Sequence, residues 1–560
     1  MNNSSPLPRH DIIIRWSVTG GGMVMMFLRD LLFGGLVLGA ILALGANLIP
    51  RRHGNPPTPS DISVYEEADF RLTVDKVDAA FRGTWSRDNV QPAIQADDLT
   101  IARRLALGLM GTIPSLEEIR QLESIPTDKR ISWWIDHILQ DRRYADYVAE
   151  RYARAFVGTE DGPFVFFRRR KFVNWLSEQI YQKTPYDQIV REMISTEGLW
   201  TDKPATNFIT VTVQNDKKNQ PDPVRLAGRV TRAFLGVRLD CAQCHDHPFA
   251  PWKQSDFEGF SAFFGQTHIG FRGVYDGPGE YTIDDKKKGI QRTVPPKVAF
   301  ANELLPEEGS LRERMSTWVT HKNNPYFARA TVNRIWALLC GQPLVAPVDN
   351  LETEGFIPPA LQILADDFAN HDFDLARLIR IIASSETYQK QSLSTLDSSG
   401  LAEKTWAQFP LTRLRPEQMA GSVLQAASVA TINADSHLVT RLIRFGDQND
   451  FIKRYGDSGE DEFDSRGGTI PQRLVMMNGK LVSEKTKEGP FTATTRINWL
   501  AKEDPRAVET VFFAVLTRRP TAREAAFFEE RLKETDQRRG QQIQDLYWDL
   551  INSTEFSWNH

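Results

Sequence analysis

From about residue 97 to the end of the chain, apolar residues recur at three- and four-residue intervals, the spacing that lines one face of an α-helix. The pattern predicts helices near 131–157, 170–196, 222–238, 310–340, 358–388, 413–430, 504–517 and 521–556. Start signals accompany it. Ser115 stands where it can cap a helix whose first turn holds Glu117 and Glu118. The period breaks over 266–300, where Gly270, Gly273, Gly277 and Gly279 sit among Thr, Val and Tyr residues. That composition predicts a loop or small β insertion over 269–305, between helical regions at 97–268 and 306–560. The fold class expected is therefore mainly α, a helical multi-domain body.

One stretch has no polar face. Residues 31–49 carry no charge and one polar side chain, Asn47. As a helix they would reach roughly 28 Å, close to the hydrocarbon thickness of a bilayer. We expect one N-terminal transmembrane helix there, preceded by a cytoplasmic leader at 1–30. Arg9, Arg15 and Arg29 before it, against Arg51 and Arg52 after it, place the body on the exported, periplasmic face. Secretion after signal cleavage is the alternative, but the leader is long and no Ala-x-Ala site follows the apolar run. Pro56, Pro57 and Pro59 make 50–96 read as a linker or tether.

Composition narrows the function classes. In 560 residues, 68 Lys and Arg face 72 Asp and Glu, a net charge of −4, so no overall field draws the chain to nucleic acid and no such partner is expected. Arg168 to Lys171 lie among Phe164, Phe166, Phe167 and Phe172, which reads as a solvated helix face beside core aromatics. The acid-rich run from Asp457 to Asp464 lacks the spacing of a calcium loop and reads as solvated loop.

The chain has three cysteines, and two of them fall in Cys241-Ala242-Gln243-Cys244-His245. This is the C-x-x-C-H pattern of covalent haem attachment, which shuffling this composition would produce in roughly 3 of 10,000 chains. Two thiols three residues apart can each add to one vinyl group of a haem, and the adjacent imidazole of His245 then falls beneath the iron. Cys241, Cys244 and His245 are the expected cofactor-binding residues. Met315, Met419, Met476, Met477 and His268 are candidate distal ligands. Phe249, Trp252, Phe257, Phe260, Phe263 and Phe264 either wall an apolar pocket or pack as core. Cys241, Cys244 and His247 also form a Cys-x-x-Cys-x-x-His knuckle for zinc or iron, with His268 as a possible fourth ligand and Asp246 as a base in a hydrolase. The pair could equally be a reducible disulfide, or a clip in a scaffold protein. Cys340 reads as a small buried apolar residue.

The run from Phe234 to Phe249, with Trp252, Phe263 and Phe264 after it, resembles the planctomycete cytochrome-associated domain of unknown function. So do Arg103 to Glu118 and Leu139 to Tyr144 upstream. The stretches Asn324 to Trp336, Asp374 to Arg380, Leu414 to Gln418, Leu516 to Thr521 and Asn552 to Phe556 resemble its companion, the planctomycete-specific PSD domain. The resemblance implies an exported protein and no defined activity. Relatives often carry a separate cytochrome c module, whereas the segment up to residue 96 holds no cysteine. Residue and resemblance together lead us to expect a membrane-anchored electron-transfer protein with haem c and a redox partner protein.

Overall fold

The computed structural model describes residues 29, 31–37, 39 and 62–560, apart from 160–164, 214–218, 286–288, 352–354, 393–399, 429, 434–449, 457–462, 464–467, 490–491 and 534–538. Most of the acid-rich run at 457–464 and most of the expected span at 31–49 lie outside the described residues; Arg29, residues 31–37 and Gly39 are helical. Among the described residues no helix is long and apolar enough to cross a membrane.

The described chain is mainly helical. Its longer helices begin with α1 (Ala68–Arg87), α2 (Asp98–Met110), α3 (Leu116–Ser124), α4 (Arg130–Gln140), α5 (Arg142–Val157), α6 (Arg169–Tyr181), α7 (Tyr186–Ser195), α8 (Pro223–Val230) and α9 (Gln254–Ser261). They continue with α10 (Leu311–Val319), α11 (Phe327–Cys340), α12 (Pro359–Asn370), α13 (Leu375–Ser384), α14 (Pro416–Ala426), α15 (Ile470–Asn478), α16 (Lys480–Thr486), α17 (Ala493–Leu500), α18 (Asp504–Leu516), α19 (Ala522–Lys533) and α20 (Arg539–Ile551). The capping expected at Ser115 forms: its hydroxyl accepts from Glu118 N while Glu118 Oε2 accepts from Ser115 N at 2.8 Å. The β insertion is two antiparallel hairpins, β1 (Thr267–Gly270) with β2 (Gly273–Asp276) and β3 (Thr282–Asp285) with β4 (Ile290–Thr293). A further pair joins Thr412–Arg413 to Trp558–Asn559 at the end of the chain.

Helix α2 organises the interior. It packs against α4, α5 and α11, and Gly108 makes this possible, since a Cβ there would meet Leu339 Cα at 3.2 Å. Leu105, Ala106 and Leu109 enter one apolar cluster, whereas Leu107 and Ile113 enter a second. Its two arginines are buried rather than solvated. Arg104 donates to the carbonyls of His560 (2.7 Å), Tyr388 (3.0 Å) and Lys390 (2.7 Å), and its guanidinium lies 3.9 Å from the Phe409 ring centroid. Arg103 donates to Val515 O at 3.1 Å. Burial pulls both down to about 10, so they stay cationic at neutral pH and tie the last elements of the chain to α2.

One expectation is corrected, and the packing adds to a second. The stretch 50–96 is no tether past residue 62: α1 buries Phe70, Val77, Phe81 and Trp85, with Phe81 stacked on Trp336 at 5.6 Å and Trp85 Nε1 donating to Thr405 O. Prolines at 56–59 say nothing about the apolar stripe that follows them. The interior also does not divide near residue 305. Residues 311–409 share one cluster with 70–264, because α11 and α12 cover the faces that α1 and α2 leave open; the second cluster gathers residues 414–556.

A chain truncated to begin at Asp97 is expected to aggregate or melt far lower than one that begins at residue 61. It loses four large side chains worth about 1.5–3 kcal/mol each, comparable to the whole net stability of a domain. Similar melting temperatures for the two truncations, measured by far-UV circular dichroism, would contradict the docking of α1.

Candidate functional site

The C-x-x-C-H residues lie on a surface turn held at both ends. Upstream, Asp222 caps α8 by accepting from Val224 N and Arg225 N, and Leu226, Ala227 and Val230 bury its apolar stripe. A π turn follows (Thr231–Leu235), and Gly236 ends it at φ +59°, where a Cβ would press on Ala330 and Leu351 at 3.2 Å. Leu239 and Ala242 of the next turn are buried, which leaves Cys241, Cys244 and His245 exposed. Downstream, His247 N donates to Trp252 O at 2.8 Å, and Gln254 N donates to Asp246 Oδ1 at 2.9 Å as α9 begins.

The two thiols are free and exposed. The two imidazoles differ in one respect that matters for ligation. His245 Nδ1 lies 2.8 Å from Asp246 O, and a carbonyl can only accept, so Nδ1 carries the proton and the Nε2 lone pair is open. His247 Nδ1 instead accepts from Phe249 N at 3.1 Å, so its neutral ring carries the proton on Nε2 and its lone pair is already engaged. Among the described residues, the ligand atoms of Cys241, Cys244 and His247 do not come together as a three-ligand group.

The surroundings amend other expectations. Trp252, Phe257, Phe260, Phe263 and Phe264 are core, and Phe249 is 94 % exposed, so none of these six rings walls an apolar pocket over the cysteines. Met315 lies in the first apolar cluster and Met419 and Met476 in the second, because their side chains serve packing, while Met477 lies near Trp548 through its carbonyl. His268 sits in β1 against Tyr275, with ring centroids 5.7 Å apart. Cys340 is 1 % exposed, and burial pushes its thiol well above the ordinary range. Arg169 of the basic run pairs with Glu150 at 2.8 Å, a structural contact.

Where Asp, Glu and His do converge, an arginine already occupies the centre. Arg143 pairs with Glu118 and Asp141 beside His137, and Arg377 pairs with Asp69 (2.6 Å) and Asp367 (2.9 Å) beside His371. Both are ion-pair networks that hold helices together.

Beside the cysteine turn opens a cleft of about 800 Å³, whose wall includes Asp240 and Gln243, the residues preceding each cysteine. Six arginines line it: Arg154, Arg225, Arg229, Arg232, Arg238 and Arg334. Arg232 grips Asp240 through Nε (3.0 Å) and Nη2 (2.7 Å), and Arg238 grips Asp349 through Nε (2.9 Å) and Nη2 (2.7 Å). Hydrogen bonding to Asp349 raises the Arg238 guanidinium, and Asp240 outweighs the effect of burial on Arg232; Cys241 lies within electrostatic reach of both. Sequence reading passed over this cleft. The only local signal is Arg225, Arg229 and Arg232 at i, i+4 and i+7, one helix face.

This is a mainly helical protein whose one motif of chemistry sits on the surface between a core domain and an arginine cleft, and its domains are ones without a defined activity. Residues 76–269 match the family PSCyt2, a protein of unknown function (DUF1549), and residues 311–443 match PSD1, a protein of unknown function (DUF1553). The chain thus carries a PSCyt2 domain followed by a PSD1 domain, the order that the sequence resemblance implied. No curated protein matches the chain, and no solved structure does.

Proposed function

We propose that this is an exported, membrane-anchored protein that carries one c-type haem on Cys241 and Cys244, with His245 as iron ligand, and exchanges electrons with a redox partner protein. The observation that carries the reading is the opposite engagement of the two imidazoles: His245 offers an open Nε2 lone pair, and His247 does not. Exposed, unlinked thiols three residues apart suit thioether formation, in which each S–H adds across a vinyl group and no oxidant is consumed. Bound haem would supply one-electron chemistry; the chain itself supplies the two sulfur anchors and a ring whose orientation Asp246 O sets. With Phe249 exposed and the other five expected rings packed in the core, the group would lie open to a docking partner. Leu31, Leu32, Phe33 and Leu36 are helical and exposed, which supports an apolar anchor ahead of the body.

Produced with a c-type maturation system, the protein should show a Soret band that survives acid–acetone. His245→Ala is expected to lower covalent incorporation and perturb the spectrum, while His247→Ala changes little. The opposite order, with about one zinc or iron per chain by elemental analysis, would replace haem by a Cys241, Cys244, His247 metal site.

A further inference from the structure

We propose that a groove between α3 and the helices α17 and α18 binds a small organic dianion, a phosphate monoester carried on an apolar body. The groove encloses about 610 Å³, within the range of small-molecule sites. Three helices each turn one face to it: Leu116 and Arg120 of α3, Arg496 and Leu500 of α17, and Arg506 and Thr510 of α18 are pairs at i and i+4. Among the described residues, the guanidiniums of Arg120, Arg496 and Arg506 make no ion pair and no hydrogen bond. Their donors are open to a ligand.

The acids nearby do not cancel these charges. Glu117 is the one carboxylate among the described lining residues, and its Oε2 accepts from Thr431 N and Oγ1, each at 3.3 Å. Three guanidiniums against one carboxylate leave an excess of two positive charges, which a dianion matches. Beyond the lining, Glu123 and Glu509 pair with Arg519 at 2.6 and 3.2 Å, and Asp504 pairs with Arg539 at 3.0 Å. Glu503 is exposed, with Lys502 next to it. Like charges gathered in one concavity repel one another, and an anion that enters relieves the repulsion. A phosphate monoester concentrates its charge on one group with three acceptor oxygens, so guanidinium forks from three helices can meet it together. The rest of the lining is largely apolar: Leu116, Ile497 and Ala501 are buried, and Leu500 is 78 % exposed. An organic body would cover that surface and withdraw it from water, which a bare phosphate ion cannot do.

The inference is independent of haem, and so is its test. The probe is phenyl phosphate, titrated calorimetrically into the full chain in a non-ionic detergent. One saturable site is expected, weakened as NaCl rises from about 50 to 300 mM. Inorganic phosphate and benzyl alcohol, which each carry half of the chemistry, should bind about tenfold more weakly or worse. Arg120→Glu and Arg506→Glu should each weaken phenyl phosphate about tenfold or more, since an attraction becomes a repulsion. Both side chains are exposed and unengaged, so the unliganded melting temperature should stay within about two degrees. Leu500→Asp should weaken the probe as well. Arg272→Glu, the same charge change at the exposed tip of the β1–β2 hairpin, should leave binding as it is. Absence of saturable binding, or binding that survives the Arg120 and Arg506 changes, would overturn the proposal. So would an equal loss in Arg272→Glu, which would reveal attraction to the whole surface, or inorganic phosphate binding as tightly as its phenyl ester.

Discussion

Glu118→Ala will unfold about 3–5 kcal/mol more easily than the parent chain, the range found when one partner of a buried ion pair is removed. The Glu118 carboxylate is buried, receives Arg143 on one oxygen and Ser115 N at 2.8 Å on the other, and has His137 Nε2 at 3.7 Å. Removal strands the buried Arg143 on Asp141 alone, at 2.6 Å, and opens the capping box of α3. Glu118→Gln keeps an acceptor for Ser115 N and should fall between the two. Denaturant midpoints by circular dichroism measure the difference, and a loss under 1 kcal/mol would show that the network is ornamental.

The same group makes stability depend on acid. Burial alone would raise the Glu118 carboxyl, but Arg143, with help from His137 and the Ser115 N–H, holds it at about 2 against an ordinary value of 4.5. A depressed folded-state value means that the contribution is fully present above pH 4.5 and is lost as pH falls toward 2. The decline of stability between those pH values should therefore be shallower in Glu118→Gln than in the parent.

The double change Cys241→Ala, Cys244→Ala will reduce covalent haem from about one per chain to none, whereas Cys340→Ala will retain it in full. Each thioether needs an accessible thiol, and Cys241 and Cys244 are exposed whereas Cys340 is sealed in the core. Neither exposed thiol packs, so the double variant should keep its stability to within about 0.5 kcal/mol. Pyridine haemochrome spectra of acid–acetone precipitates supply the count. Undiminished haem in the double variant would mean attachment elsewhere, and none in the parent would remove the electron-transfer reading.

The cysteine turn and the cleft share a residue: Asp240 precedes Cys241 in the turn and holds Arg232 in the cleft wall.

The helical class, the capping of α3 by Ser115, the hairpin insertion, the order of the two domains and the isolation of the Cys241–His245 motif were all legible in the residues. Each depends on neighbours a few positions apart, and a period of 3.6, a cap or a C-x-x-C-H spacing is a local property. What the fold alone decided was where those pieces meet. Arg103 and Arg104 look like solvated helix charges, yet carbonyls some 280 to 460 positions away make them internal clamps. Trp252 and Phe263 look as suited to a pocket as to a core until α10 brings Trp318 against Phe260, at 5.8 Å, and closes that side. The six arginines that line the cleft, scattered from 154 to 334, come together only when α5, α8 and α11 converge. Charge and apolarity are written residue by residue, but whether a residue meets water, a partner or a ligand depends on which distant surface is packed against it.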